Sequence, residues 1–301
     1  MKNLKKTAIS LLLAAALGFT ACKEATPSNP DREEVDAAAN GSSSDAGTSA
    51  TDADIPTKLD SIKESGKIQV YCDPNFPPFE YIKGDGPAGV DIDIANAIAG
   101  DLGVEAVINN ADFDAIIMSL ATGIGDIAIS GMTITEERQQ EVDFSVPYIK
   151  SVQYLLVAAG SEISSMEDLA GKKVGAVIGY TGNFVLDDSL DTSAESDYAG
   201  IIADTGVENI IVNSASEGGL EVINGNIDAL IIDEYVAKTI AAENDGLEAL
   251  MLVYDDGKEI SEEYGVAIPK GNDDLVAQIN STIERLVNEG KIEEWVVAHS
   301  S

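Results

Sequence analysis

The sequence is poor in the side chains that most often bind transition metals or serve as catalytic nucleophiles and bases. It contains one histidine, His299, and two cysteines, Cys22 and Cys72, in 301 residues. One histidine near the C-terminus cannot provide a Cys/His metal site, and it nearly excludes a Ser-His-Asp triad. With so few cysteines we expect no disulfide framework, and we assign Cys72 to a buried strand. We therefore expect no metal and no cofactor.

Positive charge is also scarce. The chain has 18 lysines and arginines against 53 aspartates and glutamates, which gives a net charge of −35. Such a surface repels phosphates, so nucleic acid is excluded as a partner. An acidic surface otherwise indicates little more than solubility.

Long apolar runs are missing except at the N-terminus. Three early lysines precede an uncharged run over residues 8–19, which is short of the roughly 20 residues that a transmembrane helix needs. The pattern predicts an export signal over residues 1–22. Its end, "FTAC", resembles a bacterial lipobox in which Cys22 is lipidated, although Phe19 departs from the usual leucine. The alternative is cleavage further upstream, which would leave Cys22 an ordinary residue.

Large apolar side chains are nearly absent from the segment that follows. Residues 23–60 are mostly small and polar or acidic, and such a composition cannot bury enough surface to offset the entropy of ordering. We expect a flexible acidic tether that holds a folded body, starting at residue 61, off a membrane surface outside the cytoplasm, at the cell surface or in the periplasm.

The body alternates strand and helix patterns. "KIQVYC" (67–72), "VEAVI" (104–108) and "DIAIS" (126–130) are typical of strands, with helical stretches between them, and the alternation resumes after residue 150. Regular βαβ alternation predicts an α/β fold of mostly parallel sheets flanked by helices.

Two segments repeat one pattern about a hundred residues apart. Residues 119–130 and 220–232 both run from a helix through a glycine turn and an aspartate, Asp126 or Asp228, into a buried strand. The repeat favours two similar α/β lobes. Ligands of open α/β sheets bind beyond the carboxyl ends of strands. Ser130 and Asp233 directly follow the repeated strands, which places one candidate ligand edge in each lobe.

Arg138 stands where a helix does not favour a cation. Thr135 is a good N-cap, so Arg138 falls in the first turn, a misplacement that costs about 0.3–1 kcal/mol unless an anion compensates. The side chain either binds an anion or forms a weak surface pair with Glu137 or Glu141.

Six segments together resemble one family. In order along the chain they are "DPNFPPFEY" (73–81), "GVDIDIANAIAGDL" (89–102), "DFDAIIMSLATG" (112–123), "ISGMTITEERQQEVDFSVPY" (129–148), "LAGKKVGAVIGYTG" (169–182) and "GNIDALIIDEYVA" (225–237). Their order and spacing are similar to those of the extracellular solute-binding proteins of family 3, which deliver amino acids to ABC importers. The resemblance covers roughly residues 60 to 301.

The resemblance implies a two-lobed fold of the periplasmic-binding-protein type (type II), in which two hinge crossovers join the lobes and closure traps the ligand. It places one lobe in residues 61–154 and 264–301 and the other in residues 155–263. The crossovers should lie near Gln153–Val157 and Glu263–Ala267. We expect a monomer.

The resemblance also implies a cage for a free amino acid. Arg138 should clamp the α-carboxylate with its planar fork, Thr133 should add a backbone N–H and a hydroxyl, and Thr181 should close over them from the other lobe. Asp233 should pair with the α-ammonium, assisted by carbonyl groups near Ser130. Asp233 has the alternative role of a plain N-cap for the helix after it.

The side-chain end of the site is less determined. The positions that match it are Asp73, Phe76, Phe113 and Gly131. Phe113 has the alternative of a core position, and Gly131 stands where some members have serine. Val177 and Tyr180 depart from the glutamine and threonine of many members. We expect a polar neutral or cationic side chain on the ligand.

The implied function is extracytoplasmic binding of a free amino acid and its delivery to the membrane subunits of an ABC permease, without catalysis. Two alternatives stay open. Cyclohexadienyl dehydratases resemble the family closely, and Asp73 or Glu80 could serve such an enzyme as a general acid. A ligand-sensing partner of a receptor is the other alternative.

Overall fold

The computed structural model describes residues 56–254 and 256–300. The predicted signal segment 1–22, its lipidation site Cys22 and all but the last residues of the predicted tether lie outside the described residues. Within them, every helix is too short or too polar to cross a bilayer.

The described residues alternate helices and strands, as the sequence predicts. The helices are α1 (Lys58–Ser65), α2 (Val90–Leu102), α3 (Phe113–Ala121), α4 (Arg138–Glu141), α5 (Thr181–Leu190), α6 (Ala215–Ile223), α7 (Glu234–Ala242), α8 (Asp273–Asn288) and α9 (Lys291–His299). The strands are β1 (Lys67–Cys72), β2 (Asn75–Phe76), β3 (Glu80–Lys83), β4 (Gly86–Ala88), β5 (Glu105–Asn110), β6 (Ile127–Ala128), β7 (Val142–Phe144), β8 (Ile149–Ala158), β9 (Lys173–Val177), β10 (Glu208–Val212), β11 (Ala229–Asp233), β12 (Leu247–Met251), β13 (Ser261–Tyr264) and β14 (Ala267–Pro269).

Helix α1 begins inside the segment assigned to the tether, so the predicted tether end at residue 60 is wrong for its last residues. Thr57 and Asp60 form a capping box, in which the Thr57 hydroxyl accepts from the Asp60 N–H at 3.2 Å and the Asp60 carboxylate accepts from the Thr57 N–H at 3.2 Å. The Thr57 hydroxyl also donates to Asp274 at 2.6 Å. These bonds offset the low apolar content and start the fold early.

Two five-stranded paths have the same topology. The first sheet runs β5-β1-β6-β14-β7 and the second runs β10-β9-β11-β8-β12. In each, the first three strands are parallel and the next two pairings are antiparallel. A small antiparallel sheet, β2-β3-β4, accompanies the first.

The sequence repeat has a structural counterpart. The Asp126 carboxylate accepts from the Gln69 N–H on β1 at 2.7 Å, and the Asp228 carboxylate accepts from the Lys173 N–H at the start of β9 at 2.8 Å. Each aspartate thus ties its own strand to the parallel neighbour at the same place in the sheet. The repeated pattern predicted this equivalence correctly.

The chain passes between the sheets along two neighbouring strands. Residues 149–152 of β8 pair with β13, whereas residues 153–158 pair with β11 and β12 of the second sheet. After β13 the chain returns to the first sheet as β14, and α8 and α9 then pack against α2. Cys72 ends β1, fully buried and unpaired as expected. Its burial, with nearby aspartates, raises its pKa to about 12.

Candidate functional site

The predicted site residues converge on one cavity with an empty volume of about 190 Å³. Its lining residues are Phe76, Phe113, Ser130, Gly131, Thr133, Arg138, Tyr180, Thr181 and Asp233. Eight of these nine are residues that the sequence analysis assigned to the ligand. The ninth is Tyr180. The remaining predicted residue, Asp73, lies behind the Tyr180 ring instead, where its carboxylate accepts a hydrogen bond from the Tyr180 hydroxyl at 3.2 Å.

Ser130 and Gly131 follow the short strand β6 after one intervening residue, Ile129, and are held by buried carboxyl groups. The Ser130 hydroxyl donates to Glu80 at 2.6 Å and accepts from the Asp73 N–H at 3.0 Å. The Gly131 N–H donates to Asp91 at 2.7 Å. This edge of the first sheet is therefore fixed from behind, while its other side faces the cavity.

Glu80 and Asp91 form a pair. Both are fully buried and close enough for the charge of Asp91 to act on Glu80, so a proton on one of the two carboxyl groups would relieve their repulsion. Burial raises the pKa of Asp91 to about 6. Burial and the charge of Asp91 raise the pKa of Glu80 well above its ordinary value. The pair thus holds a shared proton beneath the site.

Gly131 is required by the approach of Phe76. Its φ is +50°, and a Cβ at this position would lie 2.2 Å from Cε1 of the Phe76 ring. A serine, as some family members have, would be strained here and would collide with the ring. Glycine at residue 131, where some family members have serine, therefore leaves room for the Phe76 ring to form one wall of the cavity.

Arg138 is buried at the carboxyl edge of the first sheet, with 7% of its surface exposed. Its Nη1 donates to the Thr133 carbonyl at 2.8 Å and its Nη2 to the Gly179 carbonyl at 2.9 Å, and its guanidinium carbon lies 5.2 Å from the Phe113 ring centre. The alternative of a surface ion pair is excluded by this burial. Thr135 accepts from the Arg138 N–H at 3.2 Å, as an N-cap does, although the helix itself starts at Arg138.

Burial lowers the pKa of Arg138, and the nearby carboxylates of Glu262 and Asp233 oppose that shift. A buried cation needs anionic partners. The Arg138 guanidinium therefore forms one cluster of charged groups with Glu262 and Asp233.

Thr181 approaches Thr133 from the second sheet. It begins α5 after β9, and its hydroxyl lies 2.8 Å from that of Thr133. The Thr133 hydroxyl also contacts the Glu262 carboxylate at 2.7 Å. The two sheets thus meet through side chains at the edge of the cavity.

Asp233 ends β11 and is 2% exposed. It precedes α7 as the N-cap residue, but its side chain forms no capping bond. Its Oδ1 accepts instead from Gln153 Nε2 at 3.1 Å and from the Tyr264 hydroxyl at 2.8 Å. The alternative role as a plain side-chain cap is therefore wrong, because the carboxylate turns toward the cavity and the crossover strands.

Glu262 is the residue that sequence reasoning missed. It is buried on β13, and its Oε1 accepts from Gln153 Nε2 at 2.8 Å. Burial and the neighbouring Asp233 raise the pKa of Glu262 well above its ordinary value. In β13, Glu262 and Tyr264 are buried while Ser261 is exposed. The sequence analysis placed the second crossover near Glu263–Ala267, which left Glu262 outside it.

Tyr180 forms one end of the cavity. Its ring centre lies 4.7 Å from that of Phe113 and 5.3 Å from that of Phe76, and both pairs meet edge to face. The sequence analysis recorded Tyr180 only as a departure from the family. The structure shows it as a wall between the cavity and Asp73.

Comparison with known proteins agrees with this geometry. Residues 68–298 match the model of the bacterial extracellular solute-binding proteins, family 3. The chain belongs to this family. The family prediction made from the six sequence segments is thereby confirmed.

Relatives of this family 3 protein carry the names of several ligands. The chain is 31% identical over 232 residues to the probable histidine-binding protein of Neisseria gonorrhoeae, covering 76% of this chain and 81% of that one. It is 30% identical over 245 residues to the L-cystine-binding protein of Escherichia coli strain K12, covering 79% and 85%.

Solved structures of similar proteins have the same fold. A substrate-binding protein of an amino acid ABC transporter from Streptococcus pneumoniae, bound to L-arginine, superposes with a TM-score of 0.71 at 30% identity, covering 80% of this chain and 97% of that one. A mutant of ArgBP from T. maritima gives a TM-score of 0.69 at 33% identity, covering 79% and 97%. The predicted two-lobed α/β fold is confirmed.

Proposed function

We propose that this family 3 protein binds a free amino acid between its two lobes, outside the cytoplasm, and delivers it to an ABC importer. The observation that carries the proposal is the pairing of Arg138 and Asp233. They have opposite charges, come from helix α4 and strand β11 respectively, are both buried and line one small cavity. This arrangement suits a molecule with a carboxylate at one end and an ammonium at the other.

The carboxylate end would bind at Arg138. Two of the five guanidinium N–H donors hold backbone carbonyls, which fixes the plane of the group and leaves donors for two carboxylate oxygens. The hydroxyls of Thr133 and Thr181 lie at the same edge. An ordered fork loses little entropy on binding, which favours affinity.

The ammonium end would bind at Asp233. Gln153 and Tyr264 hold one carboxylate oxygen, so the side chain cannot rotate away from the cavity. Glu262 shares the Gln153 amide with Asp233, and burial and the charge of Asp233 raise the pKa of Glu262 well above its ordinary value. An ammonium group supplies three donors, and carbonyl groups near Ser130 would accept those that Asp233 does not.

The lobes would close by a hinge. We assign residues 61–154 and 264–301 to one lobe and 155–263 to the other, with β8 and β13 as the crossovers. The support is that β8 pairs with β13 at one end and with the second sheet at the other. Residues 179–181 follow the second sheet, and Arg138, Asp73 and Thr133 contact them from the first. These contacts would form on closure.

Delivery to an importer rests on the names of the similar proteins, which include the substrate-binding protein of an amino acid ABC transporter. We propose the protein as a monomer that is lipidated at Cys22 and held to the cell membrane. Cys22→Ser should move it from the membrane fraction to the soluble fraction. Persistence of the variant in the membrane fraction would contradict the anchor.

The geometry does not favour the dehydratase alternative. A general acid must reach the substrate. The Glu80 carboxyl contacts Ser130 and Asp91 behind the cavity edge, and Asp73 lies behind Tyr180. The relatives named above are binding proteins. Incubation with prephenate or arogenate should give no aromatic product, and its appearance would establish the enzyme.

A thermal-shift screen tests the proposed function directly. The protein, freed of its N-terminal 55 residues or intact, is heated with each of the twenty amino acids, ornithine and cystine. A ligand at 100 times its Kd adds about 2.7 kcal/mol of stability and raises the melting temperature by several degrees. Titration calorimetry then measures the affinity. No shift with any of these compounds would refute amino-acid binding.

A further inference from the structure

The cavity between the sheets is small. Small-molecule sites usually have volumes of about 300–1,000 Å³, whereas the space open to a water-sized sphere here is only about 10 Å³. Arg138 and Asp233 lie at the charged end. The aromatic end is closed by the Tyr180 ring, which stands edge to face against Phe76 and Phe113.

A second, larger pocket lies on the far side of this ring. The space open to a water-sized sphere is about 250 Å³ there, and Asp73, Asp112, Asp114 and Asn213 are among its lining residues. Phe113 and Tyr180 line both spaces. The two aromatic rings are therefore the partition between the cavity and the outer pocket.

Several contacts hold Tyr180 in the partition. It is 3% exposed, and its hydroxyl donates to Asp73 at 3.2 Å. Its neighbours Gly179 and Thr181 are tied to Arg138 and Thr133. Rotating the ring out of the partition would break the bond to Asp73 and two aromatic contacts, each of which stabilises the buried position.

We propose that Tyr180 determines side-chain specificity by closing the partition, so that the site accepts amino acids with short side chains and rejects long ones. This rests on the proposed function. Glycine, alanine, serine and threonine place little beyond the α-carbon. Lysine and arginine would have to displace the ring to reach the outer pocket. Of the polar neutral or cationic side chains expected from the sequence, this partition favours short polar neutral ones over long cationic ones.

Titration calorimetry on three forms of the chain tests the proposal. Wild type, Tyr180→Thr and Tyr180→Phe are each titrated with serine, alanine, lysine and arginine. Wild type should bind serine or alanine at least tenfold more tightly than arginine. Tyr180→Thr should open the partition and improve the affinity for arginine relative to serine at least tenfold. Tyr180→Phe keeps the ring and loses only the bond to Asp73, so it should keep the wild-type order.

The outcomes separate this proposal from the proposed function. Wild type that binds arginine or lysine as tightly as serine overturns the role of Tyr180 but leaves amino-acid binding intact. An unchanged order in Tyr180→Thr overturns it as well, and serine binding by that variant shows that it is folded. If none of the twenty amino acids binds wild type, the proposed function itself fails.

Discussion

The two sheets share a topology but place different groups behind the cavity. Behind the first sheet, Glu80 and Asp91 contact each other and hold the backbone of Ser130 and Gly131. At the second sheet, the Gln153 amide donates to both Asp233 and Glu262. Only in the second pair does a carboxylate line the cavity.

In both pairs burial and the neighbouring aspartate raise the pKa of a glutamate, Glu80 in the first and Glu262 in the second. The pairs differ in what they face, because the first pair holds the backbone of Ser130 and Gly131 behind the cavity. In the second pair the amide satisfies both carboxyl groups and leaves Asp233 directed at the cavity. Changes to the second pair and to Arg138 should therefore alter affinity, whereas changes to the first pair should alter stability.

Removal of Arg138 should have the largest effect. Arg138→Ala removes the cation of the cage and leaves the ligand carboxylate and two buried carboxyl groups without it. Truncating one partner of a buried charge pair costs about 2–5 kcal/mol, or from about 30-fold to a few thousand-fold in affinity. Calorimetry with the best ligand of the screen measures the loss.

Arg285→Ala is the matched control for Arg138→Ala. Arg285 is a half-exposed arginine on α8 that pairs with Asp101 at 2.6 Å. Its removal should leave affinity unchanged. If Arg138→Ala binds as tightly as Arg285→Ala, the carboxylate clamp is refuted.

Neutralising Asp233 should have the next largest effect. Asp233→Asn keeps the shape of the side chain but removes the charge that faces the ammonium, and charged hydrogen bonds contribute about 1.5–3 kcal/mol. We expect a loss of affinity of roughly 10- to 100-fold. Asp197→Asn, at an exposed residue that pairs with Lys258, is the control. Equal affinities of the two variants would contradict the assignment of Asp233.

The Glu80–Asp91 pair should make the free energy of unfolding depend on pH. Asp91 has a pKa of about 6 in the fold against an ordinary value of 3.8, and the pKa of Glu80 is also raised. The fold therefore binds more protons than the unfolded chain above pH 4, and stability falls as pH rises through 6 and beyond. Glu80→Gln, whose amide can donate to Asp91, should flatten this decline.

Urea unfolding of wild type and Glu80→Gln between pH 4 and 8 measures the difference. The free energy of unfolding of wild type should fall relative to the variant by on the order of 1–3 kcal/mol over this range. Parallel curves would show that the two carboxyl groups do not share a proton. Ligand affinity at pH 7 should change little in the variant.

The repeated aspartates should give the smallest effects, and unequal ones. Asp126 is buried and also pairs with Lys58 at 2.6 Å, whereas Asp228 is exposed. Asp126→Asn should cost about 1–2 kcal/mol of stability and Asp228→Asn less than about 1 kcal/mol. Thermal unfolding compares the two directly. Equal losses of stability in the two variants would contradict the expected effect of burial at Asp126.

The sequence predicted the parts of the site whose chemistry is local to a motif. A cation in the first turn of a helix marks Arg138, and a carboxylate after a buried strand marks Asp233. Both lie where the carboxyl ends of parallel strands meet, which follows from the alternation of elements. The backbone therefore brings these residues together whatever the side chains around them.

The missed features depend on distant contacts. Glu262 is buried because β13 pairs with β8 across more than a hundred residues, and a run of glutamates gives no local sign of this. Tyr180 is a wall only because Phe76 of β2 and Phe113 of α3 pack on it. The early start of α1 depends on two hydrogen-bonding side chains in a segment whose composition favours disorder.

The contact between Phe76 and Gly131 restricts how this binding site can evolve. With only 2.2 Å between the ring and the position of a Cβ, residue 131 cannot gain a side chain unless the Phe76 ring moves. A descendant that gained a hydroxyl at residue 131 would first have to shrink or rotate the aromatic side chain at residue 76. Substitutions at residues 76 and 131 should therefore occur together in related sequences. A change of preferred ligand that involves one of these positions would require a change at the other.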